Sequence, residues 1–159
     1  MRTRYKCAAV LAAVSLLPAS ASVAAPSPEP EVAAAAKKLR YLRFFPKGQC
    51  TRHAYKKRPE IANRAIGAFR LLQWDGRHWA ANARRAGFPV DGTPRKGDIA
   101  VWGRNEHGAF ATGHVGYVKR VFTNGSFRVS EVNWKGSRRA GQRTVPRSVA
   151  RKLQFIHKR

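Results

Sequence analysis

Most of the nucleophilic and proton-transfer capacity in this sequence lies in two cysteines and five histidines. Cys7 sits in an apolar run near the N-terminus, whereas Cys50 follows Pro46, Gly48 and Gln49 in PKGQCTRHAYKKRPE. The turn formers before Cys50 and the stop signal at Pro59 predict a short helix over 49–58 with Cys50 in its first turn. A thiol there faces backbone N–H groups that have no intrahelical partner and the positive end of the helix dipole. Both stabilise the thiolate, which is the species that attacks a carbonyl. The chemistry this suits is acyl transfer, given a histidine that can take and return a proton. A lone thiol is equally compatible with an inert buried cysteine, so its surroundings must decide.

The candidate bases are His53, His78, His107, His114 and His157. His53 shares the predicted helix with Cys50, where neighbouring side chains diverge and nothing orients the ring. His78 precedes a core tryptophan, His107 lies in the loop NEHGAFATG, and His157 belongs to the basic tail. His114 opens a predicted strand directly after Thr112 and Gly113, so a rigid element would hold its ring.

The elements that must position these groups change type along the chain. Asp75 as N-cap, the Trp79, Ala83 and Ala86 spacing, and Gly87 predict a second helix whose apolar stripe is core packing. Strands are predicted over 98–102, 113–122 and 126–134, with weaker ones at 143–145 and 153–156. Helices followed by hairpin-linked strands indicate an α+β domain with helices packed on an antiparallel sheet. Asn124-Gly125 reads as a two-residue hairpin turn. In that register Gly116 faces Asn133 and Val118 faces Glu131, so His114, Glu131 and Asn133 share one side of the sheet. Phe127 and Val129 lie on the same side, which suits a partly covered face. Asn133 is nearer His114 in a regular ladder, and a bulge would favour Glu131.

Residues 1–21 read as a secretory leader. Arg2, Arg4 and Lys6 precede a short apolar run, and Ala19-Ser20-Ala21 fits a cleavage site. That run is too short for a hydrocarbon layer of roughly 30 Å, so no stable membrane anchor is expected. Residues 22–40 read as an Ala/Pro-rich linker, and 41–159 as one domain. With the leader gone Cys50 is the only thiol, and disulfide staples are excluded. The chain has 32 basic and 8 acidic residues; losing three basics with the leader leaves 29. Such a charge favours anionic partners, and a purely cationic binder of wall polymers or nucleic acid would account for it. A secreted ribonuclease would also use His and Glu. Neither gives Cys50 a role.

GQCT at 48–51, WAANARRAGFPVDGTPRKGDIAVW at 79–102, GHVGYV at 113–118 and GSFRVSEVNW at 125–134 follow in order. Together they resemble the CHAP family of cysteine- and histidine-dependent amidohydrolases and peptidases, over about residues 47–156. The resemblance implies a papain-like fold and hydrolysis of peptidoglycan amide bonds, either as an N-acetylmuramoyl-L-alanine amidase or as a cross-bridge endopeptidase. By position it implies Cys50 as nucleophile, His114 as base, and Glu131 and Asn133 as the orienting pair. The Cys50 N–H, with Gln49, would receive the oxyanion. Some family members bind calcium in acidic loops before the nucleophile, but this sequence has no acid between Glu31 and Glu60, so no metal or other cofactor is expected. The expected partners are peptidoglycan and anionic wall polymers, without specific nucleic acid. The expected state is a monomer, secreted or periplasmic.

Overall fold

The computed structural model describes residues 40–68 and 72–159. The predicted leader, and all but the last residue of the predicted linker, lie outside the described residues. After a single 3-10 turn at Leu42–Phe44 come helices α1 (Cys50–Lys57) and α2 (Pro59–Ala68), then α3 (Trp79–Arg85). Strands β1 (Val90–Asp91), β2 (Ile99–Trp102), β3 (His114–Val121), β4 (Phe127–Val132), β5 (Ala140–Val145) and β6 (Gln154–Ile156) follow, with a four-residue helix α4 (Arg147–Ala150) before β6. The strands form one antiparallel sheet in the order β1-β6-β2-β3-β4-β5. The α+β architecture expected from the sequence is therefore present.

Both faces of the sheet are covered, which explains why β2 reads as an unbroken apolar run. Ile99 and Val101 pack with Val115 and Ile156 against Tyr55, Ile61 and Trp79 of the helices. Ala100 and Trp102 point the other way, into a second core with Val118, Phe127, Val129 and Phe155 that Ala150 and Leu153 close.

The helix of Cys50 ends at Lys57, ahead of Pro59 as the sequence predicts. Pro59 then opens α2, a helix not expected from the sequence, at the first position, where its missing N–H is not needed. Two local expectations are corrected. Asp75 does not cap a helix with its side chain; its backbone carbonyl accepts from the N–H of His78, opening a 3-10 turn at Gly76–His78 ahead of α3. The β3–β4 hairpin has a three-residue loop, Thr123 to Gly125, because Phe122 N–H donates to the Ser126 carbonyl and Gly125 takes φ +78°. A bulge then falls between Val118 and Arg120, so that Val118 pairs with Val129 and Tyr117 with Ser130. Each change slips the register by one residue. Together they restore the expected face and move Glu131 one pair closer to His114, opposite Gly116.

A buried polar cluster fastens β6 to the rest of the domain. Arg58, 3 % exposed, donates to the carbonyls of Gly97 at 3.0 Å, His157 at 3.1 Å and Ile156 at 3.4 Å, and pairs with Glu60. His157 is buried too, with Nδ1 3.0 Å from Asp98 Oδ2. Its Nε2 lies 2.8 Å from Asp91 Oδ1 but off the line of the ring N–H, so that contact is electrostatic rather than a directed hydrogen bond.

Candidate active site

Cys50 begins α1, with Gln49 in extended conformation at the cap, so the N–H groups of the first turn are free around the thiol. The α1 helix packs on β3 and β4 and brings Cys50 to the start of β3. There Cys50 lies close enough to His114 to raise the pKa of its imidazole. His114 is 4 % exposed, and its Nε2 lies 2.8 Å from Glu131 Oε2, which leaves Nδ1 to face the sulfur. Two glycines make this placement possible. A Cβ on Gly76 would press on the backbone nitrogen of His114 at 2.6 Å, and one on Gly113, whose φ is +70°, would come within 2.5 Å of Arg77 N and 2.6 Å of Trp102 O. The turn after Asp75 is thus seated directly on the root of the histidine.

Behind His114 the chain of contacts continues to a residue that the motif reading did not single out. Arg143 on β5 donates from Nε to Glu131 Oε1 at 2.6 Å, and its Nη2 lies 3.4 Å from Oε2. Its guanidinium stacks over Trp134 at 3.7 Å and Trp102 at 5.2 Å. The same two indoles meet the His114 ring edge-on at 5.0 and 5.4 Å. These rings keep water from the Glu131–His114 bond and so strengthen it. In the sequence Arg143 stands out only as the start of a weak strand. Its pairing partner on β4 lies beyond an irregular turn, Trp134–Gly136, that no pattern in the sequence announces.

Burial pulls the His114 pKa down more strongly than any other single effect. The hydrogen bonds to Cys50 and Glu131 and the negative charges of both outweigh it, holding the imidazole above the usual histidine value. Burial also pushes Glu131 up, and its bonds to His114 and Arg143 overcome this and hold it below the usual carboxylate range. The net result is an acceptor that stays ionised and a histidine that keeps its proton readily.

Asn133, in left-handed conformation at φ 63°, does a different job from Glu131. Its Oδ1 accepts from the backbone N–H of Arg138 at 3.0 Å, which fixes the amide orientation. Its Nδ2 then donates to Gln49 Oε1 at 2.8 Å. Gln49 is thereby held by its side-chain carbonyl oxygen, and it lines the same cleft as Cys50. Of the other histidines, His53, one turn along α1 from Cys50, has its Nε2 2.9 Å from Ser130 Oγ, with burial first and Lys57 second lowering its pKa. His78 is half-buried and His107 exposed, and His157 belongs to the β6 cluster. Among the described residues no group of three or more His, Cys, Asp or Glu side chains could hold a metal.

Two clefts meet at Gln49. One, of about 310 Å³, runs past Cys50 between Phe44, Phe45, Trp74, Asp75 and Thr112. The other, of about 260 Å³, is lined by Lys47, Arg52, His53 and Lys56. A larger hollow of about 710 Å³ lies away from Cys50, between Arg64, Phe88, Lys158 and Arg159.

Known proteins resemble this chain in sequence and fold. The CHAP domain family model matches residues 41–133. The N-acetylmuramoyl-L-alanine amidase sle1 of Staphylococcus haemolyticus is 37% identical over 111 residues, covering 69% of this chain and 31% of the relative. The staphylococcal secretory antigen SsaA of Staphylococcus epidermidis is 34% identical over 115 residues, covering 72% of this chain and 40% of the relative. The crystal structure of an N-acetylmuramoyl-L-alanine amidase from Staphylococcus aureus superposes with a TM-score of 0.56 at 28% identity, over 70% of this chain and 31% of that one. The chain spans about a third to two-fifths of the length of the curated relatives it matches.

Proposed function

This chain belongs to the CHAP domain family, and from that premise we propose that it is a secreted peptidoglycan hydrolase that cuts amide bonds with Cys50 as nucleophile and His114 as acid and base. The observation that carries the reading is the unbroken chain Cys50–His114–Glu131 at the junction of two clefts. The amidase names of the relatives support the substrate class.

In the proposed cycle the Cys50 thiolate attacks the amide carbonyl, and the oxyanion is met by the Cys50 N–H and the Gln49 NH₂ group. The C–N bond breaks as the His114 imidazolium gives its proton to the departing amine nitrogen. The resulting thioester is attacked by water, whose proton passes to His114, and cleavage of the C–S bond restores the thiolate. Glu131 holds the imidazole in place and stabilises its charged form, and Arg143 holds Glu131. Asn133 acts on the oxyanion side through Gln49.

Residues 1–21 serve in this reading as the export leader and 22–40 as a linker to the catalytic domain at 41–159. The name of the secretory antigen relative supports export, and no helix among the described residues is long and apolar enough to cross a membrane. The 32 basic residues against 8 acidic ones would hold the enzyme on anionic wall polymers.

Digestion of purified sacculi, with new ends read by mass spectrometry, tests the proposal. New lactyl carboxyl ends with free L-alanine amines mean amidase activity, and new amines within cross-bridges mean endopeptidase activity. Either should vanish in Cys50→Ala and after iodoacetamide treatment. The absence of new ends on every wall type, or lysis by Cys50→Ala equal to that of the parent, would remove the reading.

A further inference from the structure

Asp75 stands apart from every other described acid. Glu60 pairs with Arg58, Asp91 with Arg95, and Asp98 with His157. Glu106 accepts from Gly103 N–H, and Glu131 is held by His114 and Arg143. The Asp75 carboxylate neither caps its helical turn nor forms an ion pair, in a chain that carries 32 basic residues. Its backbone position is fixed, because the next residue, Gly76, is packed on the backbone of His114. The side chain is exposed on the wall of the cleft that contains Cys50.

The same cleft is lined by Phe44, which is 52% exposed and is one of two large apolar side chains on the described surface. An exposed ring, an unpaired acceptor and a volume of about 310 Å³ describe a site for a single compact group with one apolar face and donors at its edge. A pyranose has that form, with C–H bonds over its face and hydroxyl or acetamido donors around its rim. An ammonium group would also suit a carboxylate, but the positive field of the whole chain works against a cation here. Across Gln49 the second cleft presents Lys47, Arg52 and Lys56, which suit a peptide bearing free carboxylates.

We propose that the cleft of Phe44 and Asp75 is a sugar subsite that receives the N-acetylmuramoyl ring, with the carboxylated stem peptide in the basic cleft. The lactyl carbonyl that joins sugar to peptide then lies over Cys50. This assignment rests on the hydrolase reading above and selects between its two forms. The preferred bond is the amide at the head of the stem, since a cross-bridge amide has no sugar on either side.

Three soluble substrates test it: a muramoyl peptide, the matching D-lactoyl peptide that keeps the same amide but lacks the ring, and a sugar-free cross-bridged peptide. The expected kcat/KM for the muramoyl peptide exceeds that for the lactoyl peptide by roughly 10- to 100-fold, the usual worth of a charge-assisted hydrogen bond with some apolar contact. Phe44→Ala and Asp75→Ala should each drive this ratio toward one, whereas Asp75→Asn, which keeps an acceptor, should retain most of it. Because the result is a ratio, a change in the folded fraction cancels. Equal cleavage of muramoyl and lactoyl peptides, or preference for the cross-bridge, overturns the sugar subsite and leaves the hydrolase reading standing. Asp75→Asn as damaging as Asp75→Ala also overturns it, since that marks a cationic partner. Cleavage of none of the three overturns both.

Discussion

Gly76 is packed so closely on His114 that a Cβ there would sit 2.6 Å from the histidine's backbone nitrogen and 2.7 Å from its Cα. The turn that precedes α3 therefore sets the height of the imidazole above Cys50, although it contributes no reacting group. Gly76→Ala must push β3 away at its first residue, and backbone cannot yield as a flexible side chain can. The expected outcome is a loss of about 100-fold in kcat, the usual result of displacing a reacting group by ~1 Å. Steady-state kinetics beside a thermal melt check this, with kcat per folded molecule falling even where the melt shows the variant to be fully folded.

Glu131→Gln should change the pH dependence as well as the rate. In the parent, the Glu131 charge is one of the effects that hold the His114 pKa up. Its removal lowers that pKa, so the alkaline limb of kcat/KM should move to lower pH. The folding terms have opposite signs. The contribution of His114 to stability is complete below the usual histidine value and is lost as pH rises through its raised folded value. That of Glu131 is present above the usual carboxylate range and is lost as pH falls through its depressed folded value. An unmoved alkaline limb in Glu131→Gln would mean that His114 does not supply the proton.

Arg143 positions Glu131 through a hydrogen bond of 2.6 Å and is itself clamped on Trp134 at 3.7 Å. Arg143→Gln removes the charge that helps to depress Glu131, so the acid limb should move to higher pH and kcat should fall by about 10-fold, as for a lost charge-assisted bond. Arg143→Lys should recover the acid limb only in part, because an ammonium can pair with the carboxylate but cannot stack flat on the indole. A purely structural role would lower Tm and leave the pH profile in place.

Arg58 should matter for stability and little for chemistry. Its guanidinium serves three carbonyls, of Gly97, Ile156 and His157, from a site 3 % exposed. Arg58→Ala strands these acceptors and leaves Asp98 and His157 with less support, and should cost about 3–5 kcal/mol of unfolding free energy in urea. The fraction that stays folded should keep the parent kcat.

Attachment to the wall should respond to salt far more than the chemistry does. Exposed charges are screened within about 10 Å at 0.1 M salt, whereas Cys50, His114 and Glu131 are each no more than 9% exposed. Sedimentation with wall fragments should fall steeply across a salt series in which kcat for a small soluble muropeptide changes little. A parallel fall in kcat would mean that salt reaches the chemistry at Cys50, and binding that ignores salt would rule out electrostatic retention.

The amino-acid pattern did not reveal the helix Pro59–Ala68, but it was enough to place helices before an antiparallel sheet, to start a helix at Cys50, and to put His114 and Glu131 on one face. These depend on local signals: turn residues, the alternation of side chains along a strand, and the position of a thiol relative to a helix start. It could not determine the rank of the residues around His114. The hairpin loop is one residue longer than Asn124-Gly125 suggests, and a bulge near Lys119 slips the ladder again. A bulge follows from how the two faces of the sheet pack, and no single residue encodes it. Tertiary structure alone decided that Glu131 holds the imidazole while Asn133 holds Gln49, and that Arg143 and two indoles enclose the carboxylate. It also decided that Asp75 faces the cleft instead of capping a helix. Each of these depends on a contact between residues far apart in the chain, and such contacts exist only once the helices have closed over the sheet.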